Sequence, residues 1–363
     1  MQAIILAGGN SARLHGWATD VPKPLAPFFD RPLIHYTVKL LARHGIRDII
    51  VALSHEAKEL VGYLGDGSNY GVDIRYSIEI EPMGSAGAVK VLQGRLSETF
   101  LVVSGDLITD LDLTEAIRMH EAAQSMASMV LHEVDDPSSF GIVGCDDSGR
   151  VTHLIEKPRS VETFTNTINT GIYVLEPEVL SSIPYNTAKD FATNLFPRLL
   201  GNQERVYGFE VPGYWCDTGD LLQYRNAHFD ALQGKLEIDL PAVHVGEGIW
   251  VGGGVDIHPT ARLSSPIYIG AGVSIGPNAT IGDHTIIGTN SIIDEDAHVA
   301  RSVIGAMAYV GKETDVADSV IKGGYLVTES GSTGEPAPAA PKAVQIAPAN
   351  PIKESVSALK TLA

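Results

Sequence analysis

The sequence predicts an α/β domain with a largely parallel sheet over residues 1–235, followed by a solenoid of stacked parallel strands over 243–326. Two observations predict it. Short β-branched runs alternate with helical patterns up to residue 235, and from Val245 onward an aliphatic residue returns every six positions. Strand alternating with helix implies crossover connections, hence parallel strands covered by helices. A period of six fits neither an amphipathic helix nor a single alternating strand. It fits a triangular coil in which each hexad forms one flat face and the aliphatic side chains stack inward.

The elements follow in order. "AIILA" at 3–7 reads as the first strand, "DIIVAL" at 48–53 as the second, "VDIRYSI" at 72–78 as the third and "TFLVVSGD" at 99–106 as the fourth. Between the first two, "PLIHYTVKLLARHG" from Pro32 to Gly45 reads as a helix. Leu33, Tyr36, Val38, Leu40 and Leu41 give it apolar cover, with a proline at its start and a glycine as its stop. Ligands of such sheets bind beyond the carboxyl ends of the strands.

The hexads run through Val245, Val251, Ile257, Leu263, Ile269, Ile275, Ile281, Ile287, Ile293 and Val299. There the phase slips by one residue and resumes at Ile304, Val310 and Val316. The pattern resembles the hexapeptide repeat of left-handed parallel β-helices, at about 18 residues per coil, which implies three to four coils. Residues 327–363 change to a Pro/Ala/Ser-rich composition that buries too little apolar surface to fold alone, and are expected to form a flexible tail.

Composition excludes several classes. The net charge is −18 and no Lys/Arg-rich block offsets it, which argues against nucleic-acid and anionic-membrane partners. Any anionic ligand must meet locally placed cations. Cys145 and Cys216 are too few for a disulfide framework, so a reducing cytoplasm is the expected setting. The start lacks the pattern of a signal peptide, and no apolar run is long enough for a membrane span. The histidines show no zinc-ligand spacing; His258, His284 and His298 read as exposed coil residues, which leaves an acyltransferase reading of the solenoid without a base.

The chemistry concentrates after the first strand, in "LAGGNSARLHGWATDVPKPL" from Leu6 to Leu25. Glycines between a strand and a helix let backbone N–H groups approach an anion, and the helix N-terminus favours negative charge. Arg13 and Lys23 supply a bidentate guanidinium and an ammonium. Pro22 and Pro24 fix the backbone on both sides of Lys23. Asp106, at the end of an apolar strand, reads as a metal carboxylate or as the cap of a following helix, and Asp217 in "YWCDTGD" as a second metal carboxylate or as a turn residue. Trp215 beside it reads as buried packing.

These stretches resemble the sugar-1-phosphate nucleotidylyltransferases, the nucleotide-sugar pyrophosphorylases. The matching motifs are "LAGGNSARL…VPKPLAP", "EPMGSAG" at 81–87, "VVSGD" at 102–106, "FGIVGCDDSGRVTHLIEKP" at 140–158, "INTGIYVLEPEVL" at 168–180 and "YWCDTGD" at 214–220. The resemblance covers the whole α/β domain and implies a Rossmann-like nucleotidyltransferase fold with a mixed, mostly parallel sheet. It implies a reaction in which the phosphate of a sugar 1-phosphate attacks the α-phosphorus of an NTP in line and expels pyrophosphate. Joining two polyanions asks for cations and a metal.

The roles it implies are Arg13, Lys23 and Asp106 in catalysis, and Asp106 with Asp217 on Mg²⁺. Leu6, Ala7, Gly8, Gly9, Asn10, Ser11, Glu81, Gly84, Ser85 and Gly87 are expected around the nucleotide, with Glu79 and Glu81 able to accept from a guanine edge. Gly141, Glu156, Lys157, Asn169 and Gly171 are expected around the sugar phosphate. The solenoid is expected to serve homo-oligomer assembly.

Two departures bear on specificity. Ser11 and Ala12 stand where the usual signature has a glycine and a Thr or Ser, and "HGWATDVPKP" lacks the common Arg-Pro-Leu-Thr. "LGDGSNYGVDIRYSIEIEPMGSAG" looks closest to mannose-1-phosphate guanylyltransferases, which favours GTP. His15 to Trp17 and Thr170 leave room for a cyclitol 1-phosphate, or for dTTP or ATP with glucose 1-phosphate. A non-catalytic regulatory relative is the alternative of another class, motivated by Ser11 and Ala12; retention of Lys23, Asp106, Lys157 and Asp217 argues against it.

Overall fold

The computed structural model describes residues 1–8, 22–54, 58–79, 81–185, 187–322 and 325–328. Its described residues form two compact units, one from 1–8, 22–25 and 33–217, the other from 26–32 together with the residues from Thr218 onward.

The chain opens with strand β1 (Gln2–Leu6), followed after the undescribed stretch by a short hairpin of β2 (Pro27–Phe28) and β3 (Arg31–Pro32) that belongs to the second unit. Helix α1 (Leu33–Arg43) comes next and stops as expected, with Gly45 at φ 75° and Ile46 N–H donating to the Leu41 carbonyl. The first unit continues through β4 (Asp48–Ser54), α2 (Lys58–Leu64), β5 (Asp73–Glu79), α3 (Gly84–Lys90), β6 (Phe100–Ser104), β7 (Leu107–Thr109) and α4 (Leu113–Ala122). It closes with β8 (Ala127–Glu133), β9 (Gly141–Cys145), β10 (Val151–Glu156), β11 (Thr167–Leu175), α5 (Phe196–Gly201), β12 (Val206–Glu210) and β13 (Trp215–Asp217).

The main sheet is mixed. Strands β6, β1, β4 and β5 pair in parallel in that order, and β11 then turns the pairing antiparallel against β6, β8 and β9. Because β1 has β4 on one side and β6 on the other, the strand order reverses at its carboxyl end, where α/β sheets bind ligands. Core side chains such as Ile5, Val51, Leu101 and Val103 cover one face, and Ile4, Ile50, Phe100 and Val102 the other, which is why these strands read as continuous apolar runs.

In the second unit α6 (Leu221–Leu232) is capped by Asp220, whose carboxylate accepts from Gln223 N–H at 2.8 Å. After β14 (Val243–Gly246), four coils follow. They are β15 (Ile249–Val251), β16 (Asp256–Ile257) and β17 (Arg262–Leu263); β18 (Ile267–Ile269), β19 (Ser274–Ile275) and β20 (Thr280–Ile281); β21 (Thr285–Ile287), β22 (Ile292–Ile293) and β23 (His298–Ala300); and β24 (Val303–Ile304), β25 (Tyr309–Val310) and β26 (Asp315–Ala317). Strands β27 (Ser319–Lys322) and β28 (Tyr325–Thr328) end the described chain. Equivalent strands stack in parallel into three faces of a left-handed β-helix.

The slip after Val299 is a change of coil length. Ile269 pairs with Ile287, 18 residues on, whereas Ile287 pairs with Ile304 and Val299 with Val316, each 17 on. Ile269, Ile275, Ile281, Ile287, Ile293 and Val299 are buried in one core, each contributing about 1.5–3 kcal/mol. Val245 breaks the expectation that the hexads point inward from the start. It lies on β14, antiparallel to β15, and its side chain is 52% exposed. His258 and His298 are exposed as expected; His284 instead is half-buried, with Nε2 2.7 Å from Gln233 Nε2 of α6.

The β2–β3 turn is strained. Phe29 and Asp30 both have left-handed backbones, φ 45° and 62°, a conformation that costs roughly 1–2 kcal/mol per residue outside glycine. Buried side chains surround it: the Phe28 and Phe29 rings lie 4.1 and 4.7 Å from that of His228 on α6. No helix among the described residues is long and apolar enough to cross a membrane.

Candidate active site

Three residues far apart in sequence meet beyond the carboxyl ends of β1 and β6. Lys23 Nζ lies 2.8 Å from Asp106 Oδ2 and 2.9 Å from Asp217 Oδ1. The local chain explains each. Leu25 N–H donates to the Pro22 carbonyl at 2.8 Å, closing a tight turn around Lys23. Asp106 lies in the two-residue turn between β6 and β7, and Ser104 Oγ donates to its Oδ1 at 2.8 Å. Asp217 is brought in by the two-stranded sheet of β7 and β13, whose register sets it opposite Leu107, the neighbour of Asp106.

The three side chains are mostly buried, 11%, 26% and 21% exposed in the order Lys23, Asp106, Asp217. Burial works against the charge on Lys23, yet the two aspartates outweigh it and raise its pKa. Burial likewise opposes ionisation of Asp106, and the Lys23 ammonium with the Ser104 hydroxyl still holds it below the usual carboxylate range. Asp106 therefore stays ionised beside the charged Lys23 ammonium.

That donor set fits Mg²⁺, which prefers hard oxygen ligands and takes one or two carboxylates while substrate phosphates and water complete its shell. Asp106 Oδ2 and Asp217 Oδ1 already converge on one cation, the ammonium. No group of three or more His, Cys, Asp or Glu among the described residues offers a closed metal cage.

A second cluster forms where β9, β10 and β11 run together. Gly141 pairs with Glu156 across β9 and β10, and a Cβ on Gly141 would sit 2.6 Å from Glu156 Oε2; only glycine leaves that carboxylate its place. Lys157 follows with φ 48° and donates its backbone N–H to the Phe140 carbonyl. The register of β11 breaks between Asn169 and Tyr173. In this bulge Asn169 Oδ1 accepts from Gly171 N–H at 3.1 Å, and its Nδ2 donates to Tyr173 Oη at 2.9 Å. Gly171, at φ 78°, lies against Ser104, which ties the bulge to the Asp106 end of β6. Trp215 is 8% exposed, packs edge-on to Phe140 and donates its indole N–H to the Thr170 carbonyl, so it serves packing, as the sequence suggests.

The "EPMGSAG" turn is built differently from a phosphate loop. Ala86 and Gly87 N–H donate to the Lys189 carbonyl, and Ser85 N–H and Oγ to Asp190 Oδ1. A Cβ on Gly84, at φ 68°, would lie 2.6 Å from the Lys189 oxygen. Glu79 accepts from Met83 N–H, and burial raises its pKa against that bond; Glu81 is exposed. Lys189 and Asp190 are structural partners of this turn that sequence reasoning missed; nothing local in "AKDFATN" signals a partner 105 residues away. Of the first loop, Leu6 ends β1, Ala7 N–H donates to the Ala52 carbonyl and Gly8 lies near Ser54. Gly9, Asn10, Ser11 and Arg13 lie outside the described residues, as do Ala12 and His15 to Trp17.

A family model described as nucleotidyl transferase matches residues 2–234. The chain belongs to the nucleotidyl transferase family. The chain is 32% identical to the UTP–glucose-1-phosphate uridylyltransferase of Synechocystis over 348 residues, 92% of this chain and 90% of that one. It is 33% identical to the mannose-1-phosphate guanyltransferase of Yarrowia lipolytica over 272 residues, 73% of each chain. Among solved structures, a putative glucose-1-phosphate thymidylyltransferase from Bacillus anthracis aligns with a TM-score of 0.59 and 26% identity, covering 66% of this chain and 97% of that one. HddC from Yersinia pseudotuberculosis, complexed with GMP-PN, aligns at 0.55 and 26%, covering 62% and 97%. The family resemblance seen in the motifs is thus borne out, with relatives that differ in base and in sugar.

Proposed function

We infer that this member of the family joins an NTP and a sugar 1-phosphate, releasing pyrophosphate. The observation that carries the reading is the convergence of Asp106 and Asp217 on the Lys23 ammonium at the reversal point of the sheet. An acceptor phosphate oxygen forms a bond to the α-phosphorus as the bond to the β-phosphate oxygen breaks, and no protein atom needs to enter the covalent path. Lys23, kept protonated by its raised pKa, stabilises the charge that grows around the α-phosphate. Arg13 holds the β- and γ-phosphates. Lys157 positions the acceptor phosphate, while Glu156 and Asn169 bond sugar hydroxyls beside the Gly171 backbone. Gly84, Ser85 and Gly87 accommodate base and ribose, with Glu81 nearby. Asp106 and Asp217 would hold Mg²⁺, which supplies charge neutralisation to the triphosphate when bound.

GTP with mannose 1-phosphate is the favoured pair, supported by the likeness of residues 64–87 to the guanylyltransferases and by the Yarrowia relative. UTP with glucose 1-phosphate is the second reading, favoured by the Synechocystis relative, which matches along 92% of this chain. The test is a matrix of NTPs against sugar and cyclitol 1-phosphates with and without Mg²⁺, read by pyrophosphate release. GTP with mannose 1-phosphate is expected to be turned over fastest, and only with the metal. A dominant UTP–glucose 1-phosphate rate moves the assignment to the second pair. Silence with every pair, despite nucleotide binding, leaves a regulatory relative. Self-association is expected through the antiparallel end strands β14 and β28, and light scattering reads it.

A further inference from the structure

We propose that Asp110 is a positioning residue for Asp217, pinning the register of the β7–β13 ladder and so aiming the Asp217 carboxylate at the Lys23 ammonium. The inference rests on the catalytic reading of Asp217 and Lys23 given above, and every residue in it lies in the first unit.

The ladder that carries Asp217 is too short to fix itself. Strands β7 and β13 have three residues each and, among the described residues, form a two-stranded sheet of their own. A ribbon of that size is marginal in water. Its register decides the site, because Trp215 lies opposite Thr109, Cys216 opposite Ile108 and Asp217 opposite Leu107. A slip of one residue would turn every side chain of β13 to the other face, Asp217 among them. Apolar burial sets the register weakly, since Leu107 and Ile108, on opposite faces of β7, are both buried. Asp106 immediately precedes β7, so the same register also sets the spacing of the two carboxylates around the ammonium.

The ladder is locked at its other end. The carboxylate of Asp110, the residue after β7, accepts the N–H of Tyr214, the residue before β13, at 2.5 Å. The Tyr214 carbonyl is held as well, by the Asp110 N–H at 3.1 Å and the Thr109 hydroxyl at 2.7 Å. Thr109 Oγ1 in turn accepts from the Leu111 N–H, and the Asp112 N–H donates to the Pro212 carbonyl. Both polar backbone groups of Tyr214 are thus bonded just before β13 begins. The bond to the carboxylate is charge-assisted and the strongest of the set.

Gly213 completes the fit. Its φ is 127°, and a Cβ there would lie 2.7 Å from Leu111 Cα and 2.9 Å from Asp110 Oδ1. Only glycine lets the two segments approach so closely. Asp217 follows Tyr214 by three residues of extended chain, so a shift at the lock is carried to its carboxylate.

Asp110→Ala is the discriminating variant, because it removes the acceptor and leaves the backbone bonds. Asp110→Asn keeps an oxygen for the Tyr214 N–H, and Thr109→Val removes one hydroxyl at nearly constant shape. With the NTP and sugar 1-phosphate turned over fastest, kcat of Asp110→Ala is expected to fall about tenfold to a hundredfold. The Mg²⁺ concentration giving half-maximal rate should rise about tenfold. KM for the sugar 1-phosphate should stay within about threefold, because the acceptor cluster is untouched. Asp110→Asn should recover most of the rate, and Thr109→Val should lose less than the alanine variant.

Hydrogen exchange gives a readout independent of activity. The amides of residues 107–110 and 214–217 are expected to exchange about tenfold faster in Asp110→Ala while those of β1 and β4 keep their protection. Unchanged kcat and exchange would overturn the proposal. So would a loss in which kcat, the sugar 1-phosphate KM and thermal stability move together and Asn is no better than Ala, since that is the mark of a structural role. Absence of pyrophosphate release in the unsubstituted protein overturns the catalytic reading instead, and exchange then still decides whether Asp110 pins the ladder.

Discussion

Lys23 is held by two carboxylates more than a hundred residues apart in sequence, and each partner has its own reason to be there. Asp106 sits in the turn after the apolar strand β6 and Asp217 is delivered by the β7–β13 register. Asp106→Asn is expected to abolish pyrophosphate release while circular dichroism stays unchanged, because under the proposed function the neutral amide loses the hold on Mg²⁺ while Lys23 keeps Asp217 as partner. Gly141→Ala tests the proposed sugar-phosphate role of the Glu156 cluster. Its added methyl must displace the Glu156 carboxylate, so KM for the sugar phosphate is expected to rise about tenfold with a smaller effect on kcat, measured at saturating NTP. At this scale the sequence singled out Lys23, Asp106 and Asp217 by residue type and motif, and the fold brings these three side chains together. It was silent at Lys189 and Asp190, whose role is to bond a turn that only folding brings near.

Helix α6 and the β2–β3 hairpin share a buried histidine with a pH signature. Burial lowers His228 to about 3, against 6.5 for an unperturbed imidazole, and its bond to the Tyr224 carbonyl only partly opposes this. The unfolded chain therefore takes up a proton first as pH falls. The stability held by neutral His228 is complete above pH 6.5 and is lost as pH drops from there toward 3, with a slope of up to about 1.4 kcal/mol per pH unit. Thermal unfolding from pH 7.5 to about 4.5 should show a shallower decline in His228→Gln than in the unsubstituted protein. An equal decline in both would remove His228 as a source. The solenoid shows what periodicity can and cannot tell. Hexads located the coils because a side chain stacked on its own repeat must be small, apolar and evenly spaced. They misread Val245, because β14 is an exposed antiparallel strand that happens to keep the spacing.

For the whole molecule, the charge of −18 opposes the approach of a triphosphate, and only the local cations draw it in. KM for the NTP at fixed free Mg²⁺ is expected to fall about two- to threefold between roughly 10 and 150 mM salt, as screening relieves that repulsion. A rise would mean that the local cations dominate the encounter. By itself the sequence determined the α/β domain, the solenoid and the family, because repeated apolar spacing and catalytic motifs are local properties of a chain. Only the tertiary structure decided the antiparallel half of the sheet, the meeting of Lys23 with both aspartates and the grouping of the β2–β3 hairpin with the β-helix. Those depend on strand register and on long-range bonds such as Asp30 to Tyr268, 238 residues apart, which no local pattern encodes.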